Sequence, residues 1–169
     1  AYAFVTCAPT ATALAKRELA RTRPSWRLSF SRAGLLTFKT DDEVSLDGPA
    51  PTVFARTWGR CLGRVAEPSG IAELLAAAAL APTRLHVFAT GDDAPLDVEL
   101  PGAAPGDALP GELVLDVMTA PAQPAWLGVH VHGVGRAART GGLAPAEVPA
   151  DAPSRAYAKI EEAIAWAGL

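Results

Sequence analysis

Few residue types in this chain could carry chemistry, and each occurs in a readable spacing. His130 and His132 are two apart in an apolar run. An extended backbone puts both side chains on one face, a spacing that zinc sites on strands use. A third ligand would have to be His86 or an acid such as Asp116. No cysteine or acidic cluster lies near the pair in sequence. The spacing therefore predicts two polar side chains on the solvent face of a strand, and no bound metal. Cys7 and Cys61 have no neighbour that would activate a thiolate. They are expected to be small buried thiols of a reduced compartment rather than a disulfide or a nucleophile. The run Gly133-Val134-Gly135-Arg136-Ala137-Ala138 matches a permissive dinucleotide fingerprint and follows an apolar segment. Gly141, Gly142 and Pro145 would end any helix there after about one turn, so no helix N-terminus is expected beneath a pyrophosphate. No Gly-x-Ser-x-Gly elbow and no phosphate-binding loop occurs in the chain.

The arginines are the remaining candidates. The chain carries a formal charge of −3, but residues 1–70 hold ten basic residues against six acids, a net of +4. The rest carries a net of −7. A basic N-terminal half on a mildly acidic protein suggests a local surface for a polyanion. Arg17, Arg21, Arg32, Arg56 and Arg60 are the candidate contacts. Arg17 and Arg21 are four apart, which places them together on one flank of a helix.

Those side chains need elements to hold them. With 169 residues, half of them hydrophobic, the chain is long enough to bury a core without disulfide staples. Wholesale disorder is excluded by that apolar fraction, and no stretch of about 18 uncharged apolar residues is present to span a membrane. Tyr2–Cys7 reads as a strand. Thr10 or Thr12 can cap the next helix, whose inward stripe is Leu14, Ala15 and Leu19 and which Pro24 stops. Trp26–Ser31 and Gly34–Lys39 form a hairpin about Arg32-Ala33-Gly34. After a polar loop, Thr40–Pro51, the segment Val53–Leu62 puts Phe54, Arg56, Trp58 and Arg60 on one face if extended. Ile71–Leu80 reads as a helix and Arg84–Thr90 as a strand.

Gly91–Gly111 is a loop, and Glu112–Met118 and Trp126–His132 could extend the sheet as a hairpin. A last helix is expected over Pro153–Ala167. Its Lys159 stands beside Glu161 and Glu162. The order β-α-β-β then β-α-β predicts an α+β domain with helices on one face of a mainly antiparallel sheet. Residues 1–90 form its core, 91–132 a loop and hairpin extension, and 133–169 a linker and helix.

The run Ser154-Arg155-Ala156-Tyr157-Ala158-Lys159-Ile160-Glu161-Glu162-Ala163 resembles the segment just before the catalytic domain of FtsJ-like ribose 2′-O-methyltransferases. In that family a Ser-Arg start leads into an amphipathic helix. A Lys on it opens the Lys-Asp-Lys-Glu tetrad around the attacking ribose hydroxyl, and Lys159 matches it. Val53-Phe54-Ala55-Arg56-Thr57-Trp58 resembles the Phe-Ala-Arg segment of the branch that modifies a cytidine ribose in large-subunit ribosomal RNA. Glu112–Met118, Trp126–His130 and Pro149–Arg155 follow that branch in order.

The resemblance covers most of the chain and is densest over residues 112–165. It implies a ferredoxin-like, THUMP-like RNA-recognition region ahead of a Rossmann-like domain that binds S-adenosylmethionine. The glycine-rich motif of that domain and the other three tetrad members are not in the 169 residues. On this reading the chain is an N-terminal region that binds no cofactor and performs no catalysis by itself. Its partners are ribosomal RNA, held weakly, and the downstream methyltransferase domain, in the cytoplasm. The five arginines would then meet RNA phosphates. The competing expectation is a protein-interaction module whose last helix docks a partner domain. A metal enzyme built on His86, His130 and His132 is the third.

Overall fold

The computed structural model describes residues 1–90, 97–133, 135–142 and 160. Eight strands are formed: β1 (Tyr2–Thr6), β2 (Arg27–Arg32), β3 (Leu35–Lys39), β4 (Thr57–Val65), β5 (Arg84–Ala89), β6 (Ala104–Pro105), β7 (Leu113–Thr119) and β8 (Ala125–Val131). Helix α1 (Thr12–Thr22) follows β1, and α2 (Gly70–Ala77) follows β4. All eight strands join one sheet in the spatial order β2-β3-β1-β4-β8-β7-β5-β6. The β5 pairings with β6 and β7 are parallel, and the other pairings are antiparallel. The fold is α+β, with a mostly antiparallel sheet and its helices on one face.

The alternation of each strand sorts its side chains between two faces. Ala3, Val5, Leu36, Phe38 and Trp58 face α1, which lays Ala15 and Leu19 against them. Farther along the same face, Leu85, Leu115, Val117, Leu127 and Val129 receive Ile71 and Leu75 of α2. The opposite face holds Phe4, Leu35, Cys61, Phe88 and Met118. Both faces of β7 are covered, which is why Val114 through Met118 are all buried and why that strand reads as a nearly unbroken apolar run.

Three local details differ from the sequence expectation. Helix α1 starts from Ala11 after a 3-10 turn over Pro9–Ala11, and no side chain caps it. The Thr12 hydroxyl instead donates to the Pro9 carbonyl at 2.8 Å and accepts from the Gly34 N–H at 2.9 Å. It therefore fastens the helix start to the β2–β3 turn. Helix α2 ends at Ala77 rather than at Leu80, because Ala79 takes a left-handed φ of 53° that reverses the chain. Strand β4 begins only at Thr57, so Phe54 and Arg56 lie in the turn before it while Trp58 and Arg60 share one of its faces.

The largest difference is topological. The β7–β8 hairpin does not add to an edge of the sheet. It lies between β4 and β5, with Arg60 paired to Val129 on one side and His86 paired to Asp116 on the other. Hydrophobic content explains the placement. Residues 113–131 are the most continuously apolar pair of strands in the chain, and only a central position covers both their faces. The last helix expected over residues 153–167 lies outside the described residues, Lys159 included. The exception is Ile160, which is helical and exposed.

Candidate functional site

Two of the chain's three histidines, His130 and His86, flank one buried acid. Asp116 is fully buried in the middle of β7. Its Oδ2 lies 2.6 Å from Nδ1 of His130 on β8. On the other side His86 of β5 brings its Nδ1 to 3.7 Å from Oδ1, too far for a hydrogen bond, and Oδ1 has no partner. Register produces the meeting: Asp116 sits directly opposite His86 and one pleat along from His130. Gly128 faces Asp116 across the ladder, and a Cβ there would collide with the ring of Phe4. The missing side chain leaves room for that ring.

Protonation states follow from the partners. Burial pushes the Asp116 carboxyl up, but the charge and hydrogen bond of His130, with His86 close by, outweigh it and hold the group below its ordinary 3.8. An ionised carboxylate only accepts, so His130 donates from Nδ1. The Gly106 carbonyl accepts from Nε2 of His86 at 3.0 Å. Both nitrogens of His86 thus face acceptor oxygens. His132 is buried as well, with Nδ1 unpartnered. Desolvation lowers its proton affinity below the usual 6.5, and the neighbouring charges of His130, His86 and Arg136 lower it further against the opposing pull of Glu112. The expectation of two solvent-facing histidines is therefore corrected. His130 lies on central strand β8 and His132 just past its end, and both are covered by neighbouring chain.

Two loops close over this face. The 104–112 segment is held by Arg84, which grips the Glu112 carboxylate in a fork at 2.8 and 2.9 Å and the Pro105 carbonyl at 3.1 Å. It is joined to the chain after β8 by Gly111 N–H to His132 O, His132 N–H to Glu112 O and Ala108 N–H to Ala138 O. Arg136 is buried within that second segment. Its guanidinium lies 4.0 Å over the Trp58 ring and donates to the carbonyls of Trp58, Leu46 and Gly48. Gly48 O also accepts from Trp58 Nε1 at 2.9 Å. Burial pulls the Arg136 pKa down to about 10, opposed by the charges of Asp116 and Asp47. Arg136 comes from the glycine-rich run that resembles a nucleotide fingerprint. Among its described residues that run is irregular, with a φ of 84° at Gly135 and no helix.

Chemically, Asp116 fixes the His130 ring in one tautomer, as the orienting acid of a catalytic His does. Among the described residues no activated cysteine accompanies it. Cys7 and Cys61 are free and buried, and desolvation pushes both thiols up, Cys61 to about 11. Among the described residues no group of three or more His, Cys, Asp or Glu side chains is arranged to hold a metal ion. The cluster is a buried polar network that ties β5, β7, β8 and two loops together. The sequence signal for it was an acid in the otherwise apolar run of β7, since a buried charge must find partners.

The five candidate arginines occupy separate places. Arg32, half-buried, reaches from the end of β2 to the Met118 carbonyl at 3.1 Å and the Gln123 side chain at 3.3 Å. Arg56 lines a cavity of about 140 Å³ with Thr6, Cys7 and Thr90. Arg60 borders another with Glu43 and Leu46. Only Arg17 and Arg21 share a site, a groove of about 450 Å³ between α1 and the 52–54 turn, lined also by Leu14, Glu18, Val53 and Phe54. Both arginines are exposed. Neither makes an ion pair among the described residues. Glu18, which lies between them in sequence, instead accepts a short hydrogen bond from the Thr52 hydroxyl. Phe54 is the groove residue that spacing alone misplaces, since it belongs to a turn and not to β4.

No helix among the described residues is long and apolar enough to cross a membrane. No protein-family model matches the chain, and no curated protein matches it.

Proposed function

We propose that this chain is the RNA-recognition region of a cytoplasmic, S-adenosylmethionine-dependent ribosomal RNA ribose 2′-O-methyltransferase. The observation that carries the reading is the pair Arg17 and Arg21, exposed on one flank of α1 with no acidic partner among the described residues. Hydrated, uncommitted guanidinium groups on a rigid helix suit phosphate contacts that position RNA. The Ser154–Ala163 and Val53–Trp58 segments support the same reading by their resemblance to the methyltransferase branch. On this proposal the cofactor is bound by an adjoining domain, and the chain's part is to hold structured RNA by shape and phosphates. Lys159 would help orient the attacking 2′-hydroxyl and stabilise its developing negative charge, as a Lys of ordinary proton affinity does.

The test is binding to fragments of large-subunit ribosomal RNA over a salt series. Affinity should fall steeply with salt, and linearly on logarithmic axes. Binding that ignores salt, or none at low salt, would remove the proposal. In a protein that also carries the methyltransferase domain, Lys159→Ala should abolish methyl transfer while RNA and S-adenosylmethionine binding persist. Normal turnover of that variant would strike out the tetrad assignment.

A second reading, a protein-interaction module, is favoured by the exposure of apolar Leu14 (47%) and Val53 (83%) at the same groove. It predicts salt-insensitive binding to a partner domain.

A further inference from the structure

The groove between α1 and the 52–54 turn combines features that neither reading explains by itself. Its polar rim is Arg17 and Arg21, whose Cβ atoms are about 5–6 Å apart at this helical spacing. Its floor is the half-buried Phe54 ring, with Leu14 and Val53 beside it. Glu18 would repel an anion, but its carboxylate already accepts from the Thr52 hydroxyl and is held toward the turn. Phe54 is itself fixed from behind, since its ring packs on the α1 core and its N–H lies 3.3 Å from Thr52 Oγ1. The result is a rigid aromatic surface beside two mobile cations.

We infer that this groove binds single-stranded RNA, one base resting on Phe54 and its flanking phosphates on Arg17 and Arg21. The inference rests on the RNA-binding reading above and names its site. An acidic amphipathic helix is the competing occupant. Such a helix needs anchors for its i, i+3, i+4 and i+7 side chains. The three apolar lining residues, Leu14, Val53 and Phe54, do not supply four such anchors. A single base needs one ring face and a nearby positive charge, which is what the groove presents. Duplex RNA fits poorly, because its bases are stacked inside and unavailable to Phe54.

The test uses the whole chain and two probes, a fluorescently labelled short oligouridylate and a duplex RNA of equal length. The oligouridylate should bind more tightly than the duplex. Arg17→Gln with Arg21→Gln should reduce the slope of log K against log salt by about 1.4, since each single-strand phosphate contact contributes about 0.7. Phe54→Ala should weaken oligouridylate binding at least about fivefold, the lower end for losing one stacked base. Because Phe54 packs on the core, Val53→Glu provides a second variant at a position 83% exposed, and it should weaken binding without altering the fold. If the wild-type chain binds ribosomal RNA fragments but none of these variants changes oligouridylate binding, the groove assignment fails and the RNA reading stands. If the chain binds neither RNA probe, or binds an acidic helical peptide at this groove in their place, both fail together.

Discussion

In the middle of the sheet Asp116 is fully buried and holds His130 at 2.6 Å, while Arg136 is buried against Trp58. On α1, Arg17 and Arg21 stand in solvent, with no carboxylate partner among the described residues. The first set lost its hydration on folding and must be compensated by neighbours in fixed geometry. The second kept its hydration and is free to exchange it for a ligand. The most concentrated chemistry, two histidines beside an acid, is held in a buried network, whereas the two helix arginines stand in solvent.

That contrast can be broken most directly at Asp116. Asp116→Ala should cost about 3–5 kcal/mol of folding stability, the usual loss when one partner of a buried ionic pair is removed. Urea unfolding measures it, and a loss under about 1 kcal/mol would mean that the network is not desolvated as described. Arg136→Leu comes next. It removes the guanidinium donor from the Trp58 carbonyl, while Leu46 O keeps the Val131 N–H and Gly48 O keeps Trp58 Nε1, for a loss of about 1–3 kcal/mol by the same assay.

Acid should act on the same part of the sheet. The unfolded chain protonates His132 more readily than the folded one does, because burial first and the charges of His130, His86 and Arg136 next hold its pKa below 6.5. Stability from this group is therefore complete above pH 6.5 and declines as the pH falls toward the folded value. Asp116, held below 3.8, adds a contribution that is present above that pH and lost below it. Thermal midpoints between pH 8 and 3 should fall in two stages, and Asp116→Asn should remove the lower one.

The smallest effect on folding belongs to the surface. Arg17→Glu with Arg21→Glu should leave stability within about 0.5 kcal/mol of the parent. Any larger change in the unfolding curve would show that these arginines support α1 and are not reserved for a ligand.

The two regions were unequally legible in the sequence. Helix α1, the β2–β3 hairpin and two of the three expected stripe residues, Ala15 and Leu19, follow from local periodicity, whereas Leu14, expected inward, is exposed because it lies at the groove rim; the pairing of Arg17 with Arg21 follows from helical spacing alone. The His–Asp network was visible only as ingredients. His130 and His132 share a face in any strand, but whether that face meets water depends on where the strand lies in the sheet. Strand order is set by long-range burial, which no local pattern encodes. Phe54 escaped for a related reason, because the run from Val53 reads as one strand until the chain must turn to enter β4 at Thr57.

The central position of the β7–β8 hairpin also has a consequence in time. Strand β4 pairs on one side with β1, which precedes it, and on the other with β8, which is made about 65 residues later. Strand β5 likewise waits for β7. Residues 1–90 can assemble the β2-β3-β1-β4 half of the sheet, but β5 has only the two-residue β6 to join until residues 113–131 emerge. Until then β4 offers an unpaired edge that can recruit the wrong strand. Long-range pairings of this kind make folding slow relative to helical proteins of the same size. The hairpin that unites the halves is also the last described part of the sheet to be synthesised, so the nascent chain carries an open seam while residues 66–124 are made.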